Sequence, residues 1–118
     1  MPTPRLDHCI AHGTARDALG RALADPHIAC ADGFRLSVLS PDPADPFLLP
    51  AVALEVGFPT RRPEPWTRWR EHLEPGADED KDEDEPIESV YLHVPVALVR
   101  DLIEAHGGEA PPIPRQRA

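Results

Sequence analysis

The most concentrated chemistry in the chain lies in one acidic stretch. Positions 78–85 hold seven carboxylates and one lysine, a local charge of −6 against a formal −9 for the whole chain. Such runs are usually solvated, but a row of carboxylates can also imitate a row of phosphates and occupy an Arg- or Lys-rich groove. No glycine interrupts the run, so it lacks the order of a calcium-binding loop. The candidate partner-binding residues are Asp78, Glu79, Asp80, Asp82, Glu83, Asp84, Glu85 and Glu88.

Two Cys/His pairs have the spacing of zinc ligands. Cys9-x-x-His12 and His27-x-x-Cys30 would form a four-ligand site around a 14-residue insert. The alternative is a buried Cys30 with surface histidines, and we favour it because Cys30 follows the strand-like Ile28 and Ala29. Both cysteines are then expected to be free thiols, with no metal or cofactor.

Arginine and tryptophan interleave before the acidic stretch, a mixture that can stack on single-stranded bases. The competing interpretation is structural, because Trp66, Trp69 and Leu73 share one face of a short helix and are predicted to pack inward. The arginines would then form a solvated face, made of Arg61, Arg62, Arg68 and Arg70.

Catalytic motifs are absent from the sequence. There is no Gly-x-Ser-x-Gly, no P-loop, no Gly-x-Gly-x-x-Gly and no His-Glu-x-x-His. Cys9 with His8 or His12 is the only conceivable nucleophile–base pair, in a terminal segment expected to lack a rigid frame. We therefore expect a non-enzymatic protein.

The elements that must position these residues follow from periodicity. A helix is predicted over 15–24 behind Thr14, a short strand over 28–30, and strands over 34–39, 51–56 and 89–94. Further helices are expected over 65–73 and 95–106. The residues predicted to face the core are Phe34, Leu36, Val38, Val52, Leu54, Val56, Val90, Leu92 and Val94 from the strands, and Leu19, Leu23, Val99, Leu102 and Ile103 from the helices.

These elements indicate a single α+β domain with a small antiparallel sheet of three to four strands. We predict an N-terminal arm over 1–13, the domain over 14–108 with an acidic loop over 76–86, and a disordered Pro-rich tail over 109–118. The net charge of −9 argues against direct binding to nucleic acid, and no apolar run is long enough for a membrane span. A cytoplasmic protein is expected, with a protein partner that has a basic surface.

The second half of the chain resembles small α+β accessory proteins of phages and mobile elements, some of which are anti-CRISPR inhibitors. The resemblance covers residues 34–108 and rests on the runs ALEVGFP (53–59), VYLHVPV (90–96) and LVRDLIEAHGG (98–108). It implies a stoichiometric inhibitor that binds a host nucleoprotein complex, such as a CRISPR surveillance complex.

Two rival functions remain beside it. One is a zinc-stabilised or single-strand nucleic-acid-binding module that uses the Cys/His pairs or the tryptophans. The other is a bacterial accessory protein of unknown role, suggested by the ratio of 11 arginines to one lysine.

Overall fold

A four-stranded antiparallel sheet is the framework of the molecule. The computed structural model describes residues 3–23, 25–41, 43–44, 46–74 and 89–110. The strands lie side by side in chain order: β1 (His27–Ala29), β2 (Arg35–Leu39), β3 (Ala53–Gly57) and β4 (Val90–Pro95). The helices are α1 (Pro4–His12), α2 (Trp66–Trp69) and α3 (Val96–Ala105), with 3₁₀ turns at Pro46–Leu48 and Arg70–His72. The predicted α+β fold is confirmed.

One apolar core joins the sheet to the helices. The predicted core positions that are buried are Phe34, Leu36, Val38, Leu54, Val56, Val94, Val99, Leu102 and Ile103. Strands β2 and β3 contribute alternate residues to this face, as expected for a sheet covered on one side. Among the described residues, no helix has both the length and the apolar character needed to cross a membrane.

A β-bulge shifts the pattern of β4. Leu54 pairs with Val94 and Val56 pairs with Tyr91, so two residues of β4, Leu92 and His93, lie opposite Glu55 alone. His93 takes a φ of 54°, in the left-handed region. Beyond the bulge the inward position therefore passes to Tyr91, which is fully buried.

Three strand residues that were predicted to face the core are not buried. Val90 and Leu92 are only half-buried, since the bulge moves them out of phase. Val52 is 84% exposed because it lies just before β3, which begins at Ala53. The carbonyl of Val52 accepts a hydrogen bond from the N–H of Val96 at the start of α3.

The helix predicted over 15–24 does not form. The Asp17 carboxylate accepts hydrogen bonds from the N–H groups of Leu19 and Arg21, at 2.9 and 3.0 Å, and Gly20 has a φ of 82°. An aspartate that bonds nearby main-chain donors offers the backbone an alternative to a helix. The segment is therefore a tight hairpin, and Leu19 and Leu23, predicted as core residues, are 76% and 67% exposed.

Helix α1 lies within the segment predicted as an N-terminal arm. Pro4 suits its first position, and Leu6 is buried with Ile10 partly buried one turn later. An ion pair of 2.7 Å between Asp7 and Arg100 joins α1 to α3. The N-terminal segment is thus part of the folded unit, a correction to the predicted boundary at residue 14.

Glu109 holds the start of α1 from the other end of the sequence. Its two carboxylate oxygens accept hydrogen bonds from the N–H groups of Arg5 and Leu6, both at 3.0 Å. Residues 108–110 also pair along β1, through a bridge between Glu109 and Cys30 and a bond from the N–H of Ala110 to the carbonyl of Ala29. We call these contacts of residues 108–110 the C-terminal clasp. Residues 109 and 110, predicted as the start of the disordered tail, are therefore held in the fold, and 111–118 lie outside the described residues.

The end of α3 is fixed on the turn between β1 and β2. Nδ1 of His106 lies 2.7 Å from Oδ2 of Asp32, and its ring stacks on Phe34 with centroids 4.0 Å apart. Oδ1 of Asp32 accepts the N–H of Phe34, and Gly33 has a φ of 95°, a conformation that favours glycine in this turn. The N–H of Phe34, and then His106, lower the pKa of Asp32.

Candidate functional site

The acidic stretch joins the fold at the outer edge of β4. The predicted partner-binding residues, Asp78, Glu79, Asp80, Asp82, Glu83, Asp84, Glu85 and Glu88, all lie outside the described residues. The chain is described up to Glu74 and again from Ser89. The N–H of Glu74 donates to the carbonyl of Val90 at 3.0 Å, and Leu73 forms a β-bridge with Tyr91. We call this pairing of 73–74 with 90–91 the neck.

Aromatic side chains pack behind the neck. Trp69 and Tyr91 are fully buried and meet edge to face, with ring centroids 5.5 Å apart. Trp66 approaches the same tyrosine at 6.3 Å, also at right angles. Such edge-to-face pairs add stabilisation beyond the apolar area that they bury. Burial raises the pKa of Tyr91 to about 12, so its hydroxyl stays neutral.

The two strands of the neck are therefore anchored in the core. His72 contributes from the 3₁₀ turn, where Nδ1 lies 3.1 Å from the carbonyl oxygen of Leu92. The residues on either side of 75–88 are thus held at neighbouring positions on one sheet edge. Sequence reasoning missed this pairing, because Tyr91 was not among the residues predicted to face the core and Leu73 was assigned to a helix.

The tryptophans are poorly placed to bind single-stranded nucleic acid. Trp69 is fully buried, so its predicted role in the core is confirmed. Trp66 is half-buried, and the guanidinium of Arg62 lies 5.4 Å from its ring centroid. Stacking on bases needs open aromatic faces. These contacts favour the structural interpretation of both residues.

The four proposed zinc ligands are distributed over separate environments. Nδ1 of His27 lies 2.7 Å from Asp25, His12 is exposed, and Cys30 is buried. Cys9 contacts the hydroxyl groups of Ser40 and Thr14. Among the described residues, no group of three or more His, Cys, Asp or Glu side chains could hold a metal ion. The predicted burial of Cys30 is confirmed, and the spacing of the two pairs does not build a zinc site.

Cys9 has a more rigid setting than the sequence suggests. It lies on α1, half-buried, with Sγ 3.3 Å from Oγ of Ser40 and 3.6 Å from Oγ1 of Thr14. Oγ of Ser40 in turn donates to the carbonyl of Cys9 at 2.8 Å. The stripe of Leu6, Cys9 and Ile10 behind Pro4 is the sequence signal that could have revealed this helix.

The environments of the two cysteines differ sharply. Cys30 is 2% exposed, and burial raises the pKa of its thiol to about 11. A thiol of this kind is unreactive at neutral pH, because the thiolate is the nucleophile. Cys9, in contrast, lines a cleft on the surface.

Comparison with family models, with curated proteins and with solved structures gives no match. The functional argument therefore depends on the residues and their geometry.

Proposed function

We propose that this protein is a non-enzymatic binding protein whose acidic segment occupies a basic, nucleic-acid-binding channel of a partner complex. The observation that supports this most directly is the neck, which joins the residues on either side of 75–88 at one sheet edge. This segment has eight acids and one lysine, a formal charge of −7. The contacts are assigned to the seven acids of 78–85 and to Glu88.

The spacing of the charges supports imitation of a phosphate row. An extended polypeptide advances by roughly 3.3–3.6 Å per residue. A DNA strand carries one phosphate per about 3.4 Å of helix axis. Seven carboxylates in eight residues, extended on a partner, would therefore match the linear charge density of one strand.

The resemblance of residues 34–108 to phage accessory proteins supports a CRISPR surveillance complex as the partner. Such a complex holds nucleic acid in a positively charged channel that reads the backbone instead of the sequence. An acidic segment on a folded anchor would compete for that channel with the natural ligand. The protein then acts by occupancy, without a covalent step.

The test uses the full chain and purified CRISPR surveillance complexes. Binding is measured by biolayer interferometry at several salt concentrations, with and without competing target DNA. We expect affinity to fall steeply with salt and target DNA to displace the protein. Binding that is independent of salt, or that persists beside the DNA, would contradict the mimic.

Matched variants separate the segment from general charge. Asp82→Asn with Asp84→Asn removes two charges from the segment, and Glu71→Gln with Asp101→Asn removes two from exposed positions elsewhere. We expect only the first pair to weaken binding and to flatten the salt dependence. Equal effects would mean that net charge, and not the segment, sets the affinity.

A further inference from the structure

A cleft opens beside α1, and its lining residues all lie between positions 5 and 38 of the sequence. The neck, in contrast, is formed by 73–74 and 90–91. The cleft lies between α1, the hairpin of 15–23 and strands β1 and β2, and has a volume of about 310 Å³. This is the lower end of the size range of small-molecule sites, roughly 300–1,000 Å³. The inference drawn from the cleft uses only its described lining residues and does not depend on the proposed function.

The walls of the cleft are apolar. Ile28 and Val38 come from the sheet, and Leu23 comes from the hairpin. Leu23 is 67% exposed in the hairpin, so its side chain is accessible to a molecule in the cleft. A ligand with a short hydrocarbon part would cover it.

One rim of the cleft carries hydrogen-bond donors. Arg5 and His8 lie three residues apart on α1, so they share one face of the helix. One guanidinium nitrogen of Arg5 donates to the carbonyl oxygen of Asp25 at 3.1 Å. A guanidinium has five N–H donors in a fork that matches a carboxylate, so this contact uses only part of its capacity.

A single carboxylate opposes these donors. Asp25 lines the cleft, and its Oδ1 accepts the N–H of His27 at 2.9 Å and lies 2.7 Å from Nδ1 of the same residue. Asp25 also interacts electrostatically with Arg5, so a bound carboxylate would share the guanidinium with this side chain.

We propose that this cleft binds a small organic carboxylate with a short apolar chain. Arg5, with His8 beside it, takes the carboxylate, and Leu23, Ile28 and Val38 cover the hydrocarbon. Cys9 and Thr14 lie among the same lining residues, so the thiol senses whether the cleft is occupied.

Alkylation of Cys9 by iodoacetamide measures occupancy. The rate is followed by mass spectrometry of peptides, and the buried Cys30 is an internal reference for unfolding. The probes are hexanoate, 1-hexanol and hexylamine, which share a chain length and differ in charge, with sodium chloride as the ionic control. We expect hexanoate to slow alkylation of Cys9 with a saturable dependence, and the other probes to change it less than about twofold. Equal protection by 1-hexanol, or no protection by hexanoate, would overturn the proposal.

Substitutions on the rim test the assignment of the anion site. Arg5→Gln should weaken hexanoate protection about tenfold, the loss of one hydrogen bond to a charged group, and Arg5→Lys should lose less. Arg21→Gln is the matched control, because Arg21 is an exposed arginine on the hairpin of 15–23 and does not line the cleft. His8→Ala, with His12→Ala as its control, provides an independent check should Arg5→Gln fail to fold. Unchanged affinity in the rim variants would refute the site.

Discussion

Glu109 offers the sharpest test of how the two ends of the sequence stabilise the fold. Its carboxylate accepts the first free N–H groups of α1, those of Arg5 and Leu6. These donors have no partner inside the helix, since the first turn of any helix leaves its N–H groups unused. We predict that Glu109→Ala lowers the free energy of unfolding more than the replacement of any exposed acid.

The expected magnitude follows from the contacts. A hydrogen bond to a charged group contributes about 1.5–3 kcal/mol, and a carboxylate at a helix N-terminus about 0.3–1 kcal/mol. One half-buried carboxylate makes both bonds, so the lower end applies, and we expect Glu109→Ala to cost about 2 kcal/mol. Glu109→Gln keeps one acceptor oxygen and should cost about 1 kcal/mol.

Urea denaturation and differential scanning calorimetry provide the measurement. At about 4 °C per kcal/mol, Glu109→Ala should lower Tm by about 8 °C. Asp101→Asn is the control, because Asp101 is an exposed acid on α3. If Glu109→Ala and Asp101→Asn unfold at the same urea concentration, the cap does not contribute and the reasoning is refuted.

Three further outcomes follow from other contacts. The main-chain N–H of Phe34 lowers the pKa of Asp32 from 3.8, so the Asp32 carboxylate stabilises the fold above pH 3.8 and this stabilisation is lost as the pH falls through the lowered pKa. Asp32→Asn should therefore flatten the decline of Tm in acid. An unchanged acid profile would contradict this. Cys30 should react with Ellman's reagent only in denaturant, because burial raises its pKa to about 11; rapid labelling of two thiols in the native protein would refute it. Leu54→Ala should cost about 3 kcal/mol in urea melts, whereas Val52→Ala should cost less than about 0.5 kcal/mol, since only Leu54 is buried; similar costs would show that the assigned strand register is wrong.

The strands were largely predictable because each carries its own signal. Alternation of apolar residues over Phe34, Leu36 and Val38 depends on nothing outside the strand. The same argument failed at β4, where the bulge opposite Glu55 reverses the phase. A bulge depends on the partner strand, so the pattern of one strand alone does not show it.

The helix over 15–24 illustrates a different failure. Its apolar spacing favours a helix, but Asp17 and Gly20 stabilise a turn in the middle of it. The hydrogen bonds of Asp17 decide the local structure, because Leu19 and Leu23 are exposed and their apolar spacing gains nothing from burial. An aspartate three residues before a glycine was the available warning.

The candidate sites depend on contacts between distant positions. The clasp joins Glu109 to Arg5, and the neck joins Leu73 to Tyr91. Neither pair has a local signature, because the residues meet only after the sheet has formed. The acidic stretch, in contrast, was visible from composition alone, and its role as a partner-binding segment stays a prediction.

The neck has a consequence for how the protein can evolve. Because Glu74 and Val90 are held together at the sheet edge, a change in the length of the chain between them changes the entropy of closing that loop. Doubling that length costs only about 0.6 kcal/mol. The loop-closure term therefore opposes insertions and deletions in 75–88 only weakly. Selection can rewrite this segment for a new partner while the sheet, α3 and the clasp keep their sequence.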